Sequence, residues 1–228
     1  MEFDPAIPAW YLAPSFRPMK GIVRDVIDPA TLELVGGIAE ADETEISAAL
    51  DAVNAAQRKW KRVDAKSRAK ILHDLANVIE TTDHKPAALL MSREMGKPYP
   101  EAIGEIANCA PIFRYYAEMA RDEAGKVAGT TQEGSFQHAR YEPLGVSVHI
   151  MPFNFPVLLM CWTVAASLAA GNGCIVKPAP ATTLSTLEFM KCFSGLPEGL
   201  VACLPGGVPL AEALIASGRA DQAARDLR

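Results

Sequence analysis

From Pro143 to Val176 the chain carries no aspartate, glutamate, lysine or arginine. A stretch that long without charge must be surrounded either by lipid or by protein. Its punctuation decides between them: Pro152, Asn154, Pro156 and Gly171-Asn172-Gly173 cut the run, leaving Val157 to Ala170 as the longest unbroken apolar piece. That is shorter than the roughly 20 residues that span a bilayer. A parallel sheet buried on both faces gives the same kind of run. The expectation is therefore a covered sheet with its helices, against the rival of a membrane-inserted protein using residues 144–176. The rest of the chain is of another character, since 39 of its 49 charged residues come before Pro143.

Order along the chain agrees with such a sheet. After Pro143 the pattern is strand, turn, helix, repeated. Gly145 to Met151 reads as a strand, Pro156 to Ala170 as a helix and Cys174 to Lys177 as a strand. Thr182 to Phe193 reads as a helix and Leu200 to Leu204 as a strand, with Gly206-Gly207 leading to a last helix. Such alternation implies right-handed βαβ crossovers. Ligands of these sheets sit at the carboxyl ends of the strands, which selects the loops Pro152–Phe155, Pro178–Thr182 and Pro205–Val208.

Upstream, a proline-rich lead precedes a hairpin of Ile22 to Ile27 and Leu32 to Ala39, joined by the Asp28-Pro29-Ala30-Thr31 turn. Asp42 with Glu45 opens one amphipathic helix and Asp64 a second. A third runs from Asp83, with Pro86 in its first turn, to Gly96. Pro100 to about Glu123 is helical, with a kink expected at Pro111. Residues 126–142 change to β-like Lys126 to Thr131 and Ser135 to Glu142 around Gln132-Glu133-Gly134, a hairpin without an obvious apolar face that is expected to protrude. The divisions are 1–125 (N-terminal hairpin and helices), 126–142 (protruding hairpin), 143–217 (βαβ part) and a polar tail, 218–228.

Composition excludes several functions. A net charge of −5 offers no basic field for nucleic acid or an anionic membrane. Cys109, Cys161, Cys174, Cys192 and Cys203 form no CxxC pair and read as reduced, buried thiols. Met1-Glu2-Phe3-Asp4-Pro5 lacks the basic start and apolar run of a secretory signal. A cytoplasmic location follows as an expectation. His73, His84, His138 and His149 are scattered without ligand spacing, so no metal site is expected.

Neither GxGxxG nor GxxxxGK[ST] occurs. In their place stands Pro152-Phe153-Asn154-Phe155-Pro156, an asparagine held between two prolines directly after a buried strand. Asn154 is either a turn residue, a role its side chain suits, or a carboxamide donor to an oxygen that becomes negative during acyl chemistry. Lys177, which ends the next strand before Pro178, is either a solvated strand-end lysine or a cation reaching a nucleotide's ribose or phosphate. Cys161 and Cys174 have no nearby cation to make a thiolate and read as packing residues; His149 reads as a packed core histidine.

Taken together, several segments resemble the NAD(P)-dependent aldehyde dehydrogenase superfamily. They are Arg140-Tyr141-Glu142-Pro143-Leu144-Gly145-Val146, Pro152-Phe153-Asn154-Phe155-Pro156, Leu168-Ala169-Ala170-Gly171-Asn172, Val176-Lys177-Pro178, Gly195-Leu196-Pro197-Glu198-Gly199 and Leu204-Pro205-Gly206-Gly207. Asp28-Pro29-Ala30-Thr31, Glu94-Met95-Gly96-Lys97-Pro98 and Arg114-Tyr115-Tyr116 fit the same family in the same order, so the resemblance covers about residues 20–215. It implies an α/β fold with a parallel Rossmann-like sheet, helices on both faces, an N-terminal helical region and the hairpin as an arm for homo-oligomerisation. It also implies that NAD or NADP is the cofactor and an aldehyde the substrate. Asn154 would donate to the oxyanion formed when a cysteine thiolate attacks the aldehyde, and Lys177 would hold the adenosine ribose. Met151, Pro152 and Phe153 would line the nicotinamide side, with Ala179 and Gly206 completing the cofactor set. Hydride would then pass to the nicotinamide, and water, helped by a glutamate base, would hydrolyse the thioester.

Two departures matter. Pro180 stands where many members carry a glutamate that grips the ribose hydroxyls, which leaves NAD against NADP open. Residues 218–228 are polar and unlike the strand and Phe-Thr-Gly-Ser turn expected there, and the nucleophile, the glutamate base and the catalytic domain match nothing in this chain. The expectation is the cofactor-binding half of an aldehyde dehydrogenase, truncated and inactive alone. The alternative is a non-catalytic paralogue acting as a binding or oligomerisation module.

Overall fold

The computed structural model describes residues 3–20, 23–122, 125–129 and 132–225. The proline-rich lead is itself β-structure: β1 (Ala9–Leu12) and β2 (Ser15–Pro18) form an antiparallel hairpin. Sequence reading passes over it because prolines argue against strands. Pro18 is tolerated because β2 lies at a sheet edge, where no ladder donor is missed. The expected second hairpin follows as β3 (Val23–Ile27) and β4 (Leu34–Ala39), an antiparallel pair of their own; Ile22 lies outside the described residues.

Helix α1 (Glu43–Trp60) starts on a capping box. The Asp42 carboxylate accepts the Thr44 and Glu45 N–H groups, and Glu45 returns an oxygen to the Asp42 N–H. In α2 (Ala65–Thr81), Asp64 accepts from the Ser67 N–H. Helix α3 (Lys85–Met95) ends on Gly96, whose φ of 80° is the left-handed conformation glycine adopts without strain. The kinked helix expected over Pro100–Glu123 is two helices instead, α4 (Tyr99–Ala107) and α5 (Cys109–Met119), divided at Asn108. Pro111 has no N–H for the Ala107 carbonyl and its ring crowds that oxygen, so the helix breaks one turn upstream.

The main sheet has six strands in the order β10-β7-β8-β9-β1-β2. Strands β7 (Val146–Ile150), β8 (Gly173–Lys177), β9 (Val201–Cys203) and β10 (Gln222–Arg225) are parallel, and β1 joins β9 antiparallel. The sheet is thus parallel at its centre and mixed overall. Crossovers are α6 (Pro156–Ala169), α7 (Thr183–Phe189) and α8 (Val208–Ala216). The single helix expected over Thr182–Phe193 is α7 between two 3₁₀ segments, Pro180–Thr182 and Met190–Gly195.

Strand side chains alternate between faces, and the two faces hold separate cores. Tyr11, Cys174, Val176, Val201 and Cys203 pack with α2, α5 and α6; Trp10, Val148, Ile175, Ala202 and Leu204 pack with Leu50 and Val53 of α1 and Leu210 and Leu214 of α8. Every residue of β8 is buried, which accounts for the absence of charge before Lys177.

The polar tail needs correction. Residues 222–225 form β10, parallel to β7 with Gln222 opposite Ser147, so this stretch continues the sheet; residues 226–228 lie outside the described set. The protruding hairpin is a separate two-stranded sheet, β5 (Gly125–Ala128) with β6 (Gln137–Arg140), shorter than expected and exposed along β6 and most of β5. Residues 130 and 131 are outside the described set.

Candidate functional site

The three loops selected from sequence follow neighbouring strands of the sheet, and two of them, those after β8 and β9, are tied together. At the carboxyl end of β7 the Met151 N–H donates to the Lys177 carbonyl (2.9 Å), and beyond β9 the Leu204 N–H donates to the Val176 carbonyl (2.9 Å). Lys177 then fastens the loops through its side chain. Its Nζ donates to the Pro178 carbonyl (2.7 Å) and to the Gly206 carbonyl (3.0 Å). The residue is 4% exposed, so the solvated reading of this lysine is wrong. Burial pulls its pKa down, while the nearby Glu40 carboxylate acts in the opposite sense. Met151 and Gly206 are buried, Pro152 and Ala179 half-buried, and Phe153 exposed. The six sequence-selected cofactor residues and Asn154 thus lie at or just beyond the carboxyl ends of β7, β8 and β9.

Asn154 is half-buried, and its Oδ1 is enclosed without a hydrogen-bond partner among the described residues. Such an orphan is uncommon in a folded chain and needs a reason. Its backbone, in contrast, is firmly held. Lys97 Nζ donates to the Asn154 carbonyl (2.6 Å), lies 4.2 Å from the Phe155 ring centroid, and pairs with Glu105. The other Glu105 oxygen accepts the Val157 and Leu158 N–H groups (3.0 and 3.1 Å) at the start of α6. Glu94 repeats the device at α7, accepting from the Leu184 and Ser185 N–H groups (2.8 Å each) and from the Ser185 hydroxyl. Burial pushes the Glu94 carboxyl up to about 8, against the three donors that favour its charge.

The free N–H groups of a helix start ordinarily make an anion site. Here two of the three crossover helices after the crevice loops have those groups occupied by carboxylates from α3 and α4. Sequence reasoning did not find Lys97, Glu94 or Glu105 as supports of the site. The available signal was a carboxylate on an apolar stripe: Glu94 follows Ala87, Ala88 and Met91, and Glu105 sits with Ala102, Ile106 and Cys109.

An open groove of about 370 Å³ runs between α5 and α6, lined by Asn108, Pro111, Ile112, Tyr115, Leu158 and Trp162. Phe155, Leu158 and Trp162 fall on one helical stripe, and Phe155, Tyr115 and Trp162 are exposed. No lining side chain is charged.

The other sequence candidates stay apart from this chemistry. All five cysteines are free and buried. Burial raises the Cys161 and Cys203 thiols and pushes Cys174 to about 12 and Cys192 to about 11, so none of these four is poised as a thiolate. His149 is 1% exposed, and burial takes its pKa down to about 4; its Nε2 meets the Ser147 hydroxyl at 2.8 Å. It is a packed, neutral histidine. No helix among the described residues is long and apolar enough to cross a membrane.

Residues 18–223 match the aldehyde dehydrogenase family. Retinaldehyde dehydrogenase 3 of Rattus norvegicus is 34% identical over 207 residues, 88% of this chain and 40% of that protein. An aldehyde dehydrogenase from Bacillus cereus, solved as an NAD+ complex, superposes with a TM-score of 0.85 at 30% identity, covering 96% of this chain and 45% of its own. A 3,6-anhydro-L-galactose dehydrogenase solved with NADP gives 0.87 at 26% identity, covering 95% and 46%. The chain spans about two fifths of the length of the curated relatives it matches.

Proposed function

Since the chain belongs to the aldehyde dehydrogenase family, a family that uses NAD or NADP, we propose that it is the cofactor-binding half of such an enzyme and is inactive by itself. The observation that carries this reading is at the strand ends, where one buried ammonium, Lys177, ties the loops after β8 and β9, and the Asn154 Oδ1 in the loop after β7 has no hydrogen-bond partner among the described residues. Those features fit a dinucleotide at the carboxyl ends of a parallel sheet. Lys177, with Ala179 and Gly206, would hold the adenosine side, and Met151, Pro152 and Phe153 the nicotinamide side. The cofactor, when bound, supplies the hydride acceptor.

Asn154 is the one residue of this chain with a chemical role in the reading. Its carboxamide N–H donates to the aldehyde oxygen as negative charge gathers there, a contact whose loss typically costs about 10²–10³ in turnover. Lys97 and Glu105 fix its backbone so that the amide spends no reorganisation on that task. The uncharged groove between α5 and α6 suits an aldehyde with an apolar tail. No cysteine here is suited to be the nucleophile, which is why the chain alone is assigned no turnover. The exposed β5–β6 hairpin is assigned to homo-oligomer formation, because it is a two-stranded sheet that joins neither of the other sheets.

Calorimetric titration of the purified chain with NAD+ and NADP+, followed by an assay for aldehyde-dependent NAD(P)H formation, tests the proposal. Binding of at least one nucleotide without turnover is expected. Turnover abolished by Asn154→Ala would show that a nucleophile has been overlooked, and failure to bind either nucleotide would refute the cofactor assignment.

A further inference from the structure

Glu40 lies just beyond β4, where the Ala41 N–H donates to the Pro205 carbonyl (2.9 Å) and so ties this segment to the loop after β9. Its carboxylate faces the same loop: Oε1 and Oε2 lie 3.5 and 4.0 Å from where a Cβ on Gly207 would stand. Lys177 holds the neighbouring Gly206 carbonyl at 3.0 Å. Residues 206–207 are therefore flanked by one ammonium and one carboxylate. Arg24, on β3, donates through Nη2 to Glu40 Oε1 (2.6 Å), which leaves Oε2 without a partner among the described residues.

The geometry points to Glu40 as the residue that selects the nucleotide's free 2′,3′-diol. This rests on the strand-end crevice being a dinucleotide site. A diol offers O–H donors, which require an acceptor, and oxygens, which accept from an ammonium. The crevice presents one of each, a free carboxylate oxygen and the Lys177 ammonium. A 2′-phosphate has acceptors only and carries negative charge, so it meets repulsion from Glu40, while Arg24, the other cation beside that carboxylate, is already paired with it. Arg24 keeps the carboxylate at the loop by occupying its other oxygen, and it acts as a positioning residue. The chain accordingly prefers NAD+ to NADP+.

Calorimetric titration of the wild-type chain, Glu40→Gln and Arg24→Gln with NAD+ and with NADP+ tests this, with circular dichroism melts confirming that each variant folds. Glu40 is partly exposed and the glutamine is isosteric. The wild type should bind NAD+ more tightly, and Glu40→Gln should move the preference toward NADP+ by about tenfold, the usual weight of one charge-assisted hydrogen bond. Arg24→Gln should weaken NAD+ binding by less. A wild-type preference for NADP+, or a preference unchanged in Glu40→Gln, overturns the inference and leaves the dinucleotide site standing. Binding of neither nucleotide to the wild type overturns both.

Discussion

At the level of single residues, Glu94 carries a measurable consequence. It is buried, and its carboxyl holds its proton up to about pH 8 in the fold, against an ordinary value of 4.5. Between those values the folded chain binds the extra proton, so stability falls as pH rises from about 5 to 8. In Glu94→Gln that slope should flatten, because the amide keeps an acceptor oxygen for the α7 N–H groups without the titration. Melting temperatures across the range check it, and a slope retained in the variant would assign the effect to another group. The residues that support Asn154 were only half legible. Glu94 and Lys97 stand inside a segment that resembles the family, yet nothing local says that Lys97 reaches a carbonyl 57 positions away. Asn154 and Lys177 stood out in the sequence because the first lies between Pro152 and Pro156 just after a buried strand and the second ends a buried strand immediately before Pro178.

Among the elements, β10 shows where periodicity stops being informative. Its residues are polar or small, and extended structure there comes from pairing with β7. Asp221 fastens it: its carboxylate accepts the Val146 N–H (2.9 Å) and its own N–H donates to the Val146 carbonyl (2.8 Å). Gly145 makes room for that clamp, with φ at 133° and a would-be Cβ only 2.1 Å from Asp221 Oδ2. Gly145→Ala must strain the backbone and expel the aspartate, with an expected loss of about 1–3 kcal/mol. Urea midpoints should show it, and hydrogen exchange should accelerate at the β7–β10 amides in both Gly145→Ala and Asp221→Ala. Exchange confined to other strands would contradict the clamp. The β1–β2 hairpin escaped notice for the converse reason, since prolines that would disqualify a central strand are harmless at an edge.

At the scale of the whole molecule, the described residues of the β5–β6 hairpin contribute no side chain to either apolar cluster. Its deletion should leave the thermal transition nearly unchanged while reducing the sedimentation coefficient to that of a single chain. A coefficient equal to that of the intact protein would remove the hairpin from any assembly. The two cores are otherwise unequal in origin. One is built largely by helices α2 to α7 on a single face, and the other closes only when α1 and α8, 165 positions apart at their starts, meet over the sheet.

What the residues determined unaided were the features written in local chemistry: a charge-free run too broken for lipid, strand and helix alternation that forces crossovers, caps at Asp42, Asp64 and Gly96, and the loops at strand ends. Tertiary structure alone decided the rest. It turned a polar tail into β10, made Lys177 a buried staple, aimed Glu105 and Glu94 at the starts of α6 and α7, and set Glu40 against Gly207. Hydrogen bonds and ion pairs between distant segments depend on where the whole chain places its charges. No window of sequence contains both partners.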